Sequence, residues 1–251
     1  MVLFFAKKRT LKGLIHIDGV ALPVRVVLDL ASGHYYSLTT RRITLRLPIT
    51  ASEAMIRDFL HTVQEWVKVQ FEQQPAYREA YFGKQFRHGE LLTVGERKYV
   101  LSLEFKDRIT SSAKLVGDTI CLELNENLNS WQRTKTAKTL LSRIVAKDFQ
   151  KEIAHRVTEM NARTFRQPIR SINLKYNHSN WGSCSNAGNV NLSTRLLFAP
   201  RSVQDYVILH ELAHLIEMNH SDRFWALVSQ HMPDYQQAEK WLKTHRAKCD
   251  F

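Results

Sequence analysis

The chain is 251 residues with 44% hydrophobic and 24% charged side chains, a globular balance that excludes wholesale disorder, a fibrous repeat and reliance on disulfides for a core. No run of 18 apolar residues occurs, so no bilayer-spanning segment is expected. The three scattered cysteines (Cys121, Cys184, Cys249) form no C-x-x-C and exclude a zinc ribbon or dithiol redox motif. The formal net charge of +12 is concentrated, with 8 basic and 2 acidic side chains in residues 1–50 and 12 and 3 in residues 131–200. Two such blocks either draw in nucleic acid or nucleotides or form a solvated face.

The opening Met1-Val2-Leu3-Phe4-Phe5-Ala6 precedes Lys7-Lys8-Arg9, the reverse of a signal peptide's order, so a cytoplasmic location is expected. Strands are predicted at Leu14–Ile17, Val24–Leu28 and Ile43–Leu47, with Asp18-Gly19 and Ser32-Gly33 as turns between them. Thr50-Ala51-Ser52-Glu53 reads as a capping box opening a helix over about 51–73. Tyr99–Leu103 and Thr119–Leu124 are further strands. A stretch without Gly or Pro then carries Leu141, Val145, Phe149, Ile153 and Val157 at helical spacing, predicting one helix over 129–164. Lys147, Lys151 and Arg156 are expected on its outer side. Strands at Ile169–Leu174 and Asn189–Leu192 and a helical C-terminus complete an α+β pattern. It divides into a strand-rich region, 1–125, and a catalytic domain, 126–251.

His210-Glu211-Leu212-Ala213-His214 is an H-E-x-x-H pattern, which carries chemistry only on a helix. Ser202 as N-cap, with Asp205 three residues later, and apolar Val207, Ile208, Leu212, Leu215 and Ile216 predict that helix. Side chains four apart then stand about 40° apart in angle and about 6 Å apart along the axis, so two imidazoles can hold one Zn2+ ion from the same side. His220 is the expected third ligand, with Asn219 ending the helix in a left-handed conformation. Glu217, Asp222, His231, Glu239 and His245 are its rivals. Zinc lowers the pKa of its bound water, and Glu211 is placed to take that proton and pass it to a leaving group. His178, Asn177, Ser183 and Arg195 are candidates for stabilising the oxyanion.

Trp181-Gly182-Ser183-Cys184 has two readings. It lies beside the zinc, with Gly182 allowing close approach and Ser183 or Cys184 pointing into the cleft, or it is a tight loop with Trp181 and Cys184 buried as core. A zinc-dependent hydrolase acting on peptide bonds fits the pattern best. Hydrolysis of a nucleotide phosphoanhydride (nucleoside triphosphate pyrophosphatase-like) at the same site is the alternative, and a nucleic-acid-associated module with structural zinc is a third.

The segment from His210 to Trp225, with Trp181-Gly182-Ser183-Cys184-Ser185, Pro233-Asp234-Tyr235, Trp241-Leu242, Gly89-Glu90, Gly95 and Tyr99, resembles the YgjP-like family of bacterial zinc metallopeptidases. The resemblance implies a zincin-like, minigluzincin-related fold with zinc on His210, His214 and His220 and Glu211 as base. It also places the chain near the SprT-like and Wss1-like proteases, some of which cleave DNA-attached proteins. Asn180 and Ser193 depart from the residues usual in the family, Arg and Asn. Glu217 stands where a metzincin has its turn glycine, which argues against that class. By the same analogy Asn189–Ser193 is expected as an edge strand that pairs with an extended substrate, and Phe224 and Trp225 are expected to pack beneath the site.

Overall fold

The computed structural model describes residues 8–30 and 33–251; the Met1–Ala6 run and the Ser32 half of the Ser32-Gly33 turn lie outside them. The chain packs as two compact units, Met1–Phe86 with Asn125–Lys135, and Arg87–Leu124 with Thr136–Phe251.

In the first unit, strands β1 (Arg9–Ile17), β2 (Val20–Asp29), β3 (Tyr35–Leu38) and β4 (Ile43–Pro48) form a sheet of order β1-β2-β4-β3. The β2/β4 pair is parallel and the other two are antiparallel. Asp18 and Gly19 close the β1–β2 hairpin with φ of 52° and 73°, the left-handed pair that a two-residue turn between right-twisted strands requires. Val24, Val26, Leu45 and Leu47 face helix α1 (Glu53–Gln73), which buries Val63, Val67 and Phe71 at four-residue intervals. The cap of α1 is Ser52, whose hydroxyl accepts from the Met55 amide at 3.2 Å, so the helix starts at Glu53 and Thr50 does not cap it. A short helix, α2 (Pro75–Phe82), follows with proline in its first turn, a signal that the apolar rhythm of the sequence does not carry.

In the second unit, β5 (Leu91–Val94), β6 (Arg97–Lys106), β7 (Ser112–Val116) and β8 (Thr119–Asn125) form a sheet of order β5-β6-β8-β7. It is fastened to α3 (Ser130–Arg163). Arg97 donates to Asp148 at 2.6 Å and Glu152 at 3.0 Å and lies over the Phe149 ring, while the Tyr99 hydroxyl reaches Asp148 at 2.5 Å. By packing, these strands go with the C-terminal residues, whereas the sequence division grouped them within 1–125. The expected α3 stripe of Leu141, Val145, Phe149, Ile153 and Val157 is buried. Arg156 corrects the expectation of an outer position. It is 7% exposed and paired through its guanidinium with Asp205 at 2.5 Å and with Gln204, so it ties α3 to the helix that follows. Lys147 and Lys151 are exposed as expected.

The strands nearest the H-E-x-x-H segment are β9 (Ser171–Lys175), β10 (Gly182–Cys184) and β11 (Asn189–Ser193), in the order β10-β11-β9. Asn189–Ser193 is therefore the central strand, antiparallel to β10 and parallel to β9, and the free edge beside the site belongs to β10. Helices α4 (Arg201–Ala213), α5 (Asp222–His231) and α6 (Tyr235–His245) complete the unit. No described helix is long and apolar enough to cross a membrane.

Candidate metal centre

Helix α4 begins after Pro200 with no side-chain cap, so the expected Ser202 cap is not formed. Gln204 instead donates to the Ala199 carbonyl at 2.9 Å, and Asp205 pairs with Arg156. The helix is enclosed nearly all round, burying Val203, Tyr206, Val207, Ile208, Leu209, Glu211, Leu212 and Ala213, as a helix inside a core does. Burial fixes the rotamers of the residues that carry the site.

His210 and Glu211 lie in the last turn of α4, and His214 is its C-cap. The chain leaves the helix there, well before Asn219, and no left-handed residue is used: among the described non-glycine residues only Asp18 and Arg166 have positive φ. A turn over 214–216 carries the chain to His220, directly before the Ser221 cap of α5, whose hydroxyl accepts from the Phe224 amide at 3.4 Å. Phe224 is fully buried and its ring centroid lies 4.8, 4.6 and 4.8 Å from those of His210, His214 and His220, forming a common floor. Trp225 stacks on His220 at 5.7 Å and on Tyr235 at 5.1 Å. Both residues pack under the site, as expected.

One nitrogen from each of His210, His214 and His220 falls within 4.8 Å of the others, and the Nε2 atoms of His210 and His220 are 3.0 Å apart. His214 Nδ1 lies 3.0 Å from the Glu217 carbonyl, which can only accept, so Nδ1 carries the proton and Nε2 keeps its lone pair. Glu217, a rival ligand on sequence grounds, thus contributes its backbone. His231 packs against Phe165 and His245 against Trp241, so neither joins the cluster. His210 Nδ1 is 3.5 Å from the Tyr206 hydroxyl. Burial, with the neighbouring His214 and His220, pushes the His210 pKa down to about 3, and burial also lowers that of His214, so both rings are neutral, the form that binds metals.

Glu211 is 5% exposed, and burial pushes its pKa up to about 8. It lies against β10: a Cβ on Gly182 would meet its Cγ and Oε1 at 2.6 Å, so the close approach expected of Gly182 is present. Trp181, Ser183 and Cys184 line the same cleft of about 690 Å³, together with the three histidines and Glu211. The Ser183 hydroxyl accepts from Asn191 at 3.3 Å, and the Cys184 thiol is pushed up to about 11 by burial and the nearby Glu211. Asn180 lies in the cleft, whereas Ser193, the other departure from the family pattern, is buried and bonds the Asn177 carbonyl at 3.0 Å.

Two oxyanion candidates are placed otherwise. Arg195 is 5% exposed and each of its nitrogens is committed to a carbonyl: Nε to Cys249 at 2.8 Å, Nη1 to His178 at 2.6 Å and Nη2 to Arg246 at 2.7 Å. It lies over the Trp181 ring at 4.9 Å and secures the cleft from behind. His178 is exposed, and the atom it contributes to this network is its backbone oxygen. Tyr206, beside His210, is not among the residues the sequence singles out, while Glu239, a rival ligand on sequence grounds, lines the cleft without joining the histidine cluster. Tyr206 precedes His210 by four residues on the same helix, the one signal that could have found it.

Residues 35–245 match the YgjP-like metallopeptidase domain. Among solved structures, that of the metallopeptidase zymogen of Pyrococcus abyssi abylysin is similar over 37% of this chain and 92% of that chain, at 20% identity and a TM-score of 0.34. No curated protein matches the chain.

Proposed function

The chain belongs to the YgjP-like metallopeptidase family, and we propose that it is a zinc-dependent peptidase in which His210, His214 and His220 hold one Zn2+ and Glu211 is the general base. The observation that carries this reading is the convergence of three imidazoles beside a buried carboxylate. Four nitrogens or oxygens at about 2.05 Å from a tetrahedral zinc are about 3.3 Å apart. The 3.0 Å His210–His220 contact and the 4.8 Å limit over the trio bracket that edge. Neutral rings, one with its tautomer set by the Glu217 carbonyl, suit the ion, and three ligands leave a fourth position for solvent. On this reading the second unit is a zincin-like domain.

Zinc, when bound, supplies Lewis acidity to the attacking water and to the substrate carbonyl. Glu211 takes the proton of that water on a carboxylate oxygen and delivers it to the leaving nitrogen. Glu211 lines the same cleft as the three histidines, which places it for both transfers. Gly182 lets the free edge of β10 run beside Glu211, where an extended peptide can add as a further strand and be held by its own backbone. The Phe224 floor keeps water from the back of the rings.

The test offers unfolded protein, DNA-bound protein and nucleoside triphosphates to the zinc-loaded protein and to Glu211→Gln, with products read by mass spectrometry. New peptides from the wild type alone support the reading. Release of phosphate or pyrophosphate without peptides would replace it with phosphoanhydride hydrolysis.

A further inference from the structure

At one end of the cleft two cations stand without a counter-charge. Lys243, on the last turn of α6, and Arg246, just beyond it, both line the cleft and both are exposed. Among the described residues neither is paired with a carboxylate. Asp250, the acid nearest to Arg246 in sequence, is committed to Lys138 at 2.8 Å and to the Tyr176 hydroxyl at 3.1 Å. Glu239 lies one turn before Lys243, on the side of Tyr206, whose ionisation it opposes after burial has done most.

Arg246 is also held in place. Its Nη2 donates to the Ser179 carbonyl at 2.6 Å and the His178 carbonyl at 3.2 Å, and its own carbonyl accepts from the buried Arg195. The guanidinium therefore bridges the loop before β10 and the segment after α6, with Nε and Nη1 left over. A held guanidinium with spare donors on Nε and Nη1, beside an exposed ammonium, offers a carboxylate two positive charges and single charge-assisted hydrogen bonds.

We propose that this end of the cleft binds a carboxylate of the peptide substrate, with Lys243 and Arg246 as specificity-determining residues. The carboxylate is either the free C-terminus of a peptide or an Asp or Glu side chain near the scissile bond. The proposal rests on the peptidase reading, and it defines a substrate class that the metal site alone does not.

The test uses the full chain and a short alanine-rich peptide in four forms: free acid, C-terminal amide, amide with one internal Glu, and the same amide with Gln. Dissociation constants are measured by calorimetry on metal-free protein, and KM and kcat on zinc-loaded protein. The free acid should bind on the order of tenfold more tightly than the amide if the terminus is the ligand, and Glu more tightly than Gln by a similar factor if a side chain is. The advantage should shrink as salt rises. Lys243→Gln and Arg246→Gln should each reduce it; Lys243→Gln disturbs no bridge and separates recognition from a loosened loop. Equal binding within both pairs, or an advantage that survives both substitutions, overturns the proposal. If binding discriminates but no peptide is cut, the peptidase reading fails and the carboxylate site stands; if peptides are cut without discrimination, the reverse holds.

Discussion

The α-carbon of Gly182 and the side chain of Glu211 are so close that a single added methyl would sit 2.6 Å from Glu211 Cγ and Oε1. On the proposed reading, strand β10 and helix α4 are thereby brought within reach of one peptide, which would pair with the strand while its scissile bond stands beside the carboxylate. Gly182→Ala should displace Glu211 or the strand, at a cost of about 1–3 kcal/mol in stability. Peptide turnover should fall more than tenfold while zinc content is kept. Turnover and metal analysis check this; an active Gly182→Ala would show that the contact has no role.

Burial of Glu211 predicts a pH dependence in the metal-free protein. The folded-state pKa of about 8 lies above the ordinary 4.5, so the contribution to stability is complete below pH 4.5 and is lost as pH rises through 8. At pH 7 the loss is roughly 3 kcal/mol. Glu211→Gln carries no such slope. In urea titrations with chelator present, the mutant should gain on the wild type between pH 5 and about 8; parallel curves would contradict a buried carboxyl.

His220 is exposed and lies beyond the turn that follows α4, so of the three proposed ligands it is the one whose loss least disturbs the core. His220→Ala should fold, and its zinc affinity should fall by more than the roughly 10–100-fold typical of losing an outer partner of a ligand. Chelation should lower the melting temperature of the wild type and leave the mutant nearly unchanged. Competition with a chromogenic chelator measures the first effect and thermal scanning the second.

Arg195 is assigned to structure. Arg195→Met would take the donor from the Arg246 and Cys249 carbonyls and one of two donors from that of His178, which keeps Arg246; a buried unpaired carbonyl such as that of Cys249 costs about 1–3 kcal/mol. The urea midpoint should drop by an amount equivalent to at least that, with activity lost alongside. Unchanged stability with a selective fall in kcat would return Arg195 to the oxyanion role.

Regular elements were legible where one physical signal dominates. The α3 stripe and the Asp18-Gly19 turn each follow from local spacing or backbone preference, and they stand where the pattern puts them. The trio of histidines was legible because helical spacing brings two together, and His220 was singled out although its route was misread. The helix ends at Ala213 through ordinary right-handed turns, without Asn219. What was not legible depends on partners distant in sequence. Arg156 looks like any surface cation until Asp205 meets it, and Arg195 like a cleft donor until three carbonyls consume it. The place of β11 in mid-sheet was hidden because β10, only three residues long, carries no periodicity of its own.

Anomalous diffraction at the zinc edge from crystals of the zinc-loaded protein tests the central claim most directly. The account predicts one peak, about 2.1 Å from a nitrogen of each of His210, His214 and His220, with no fourth side chain bound and Glu211 beside the open position. A peak elsewhere, a missing His220, or a fourth protein ligand closing the coordination would contradict it.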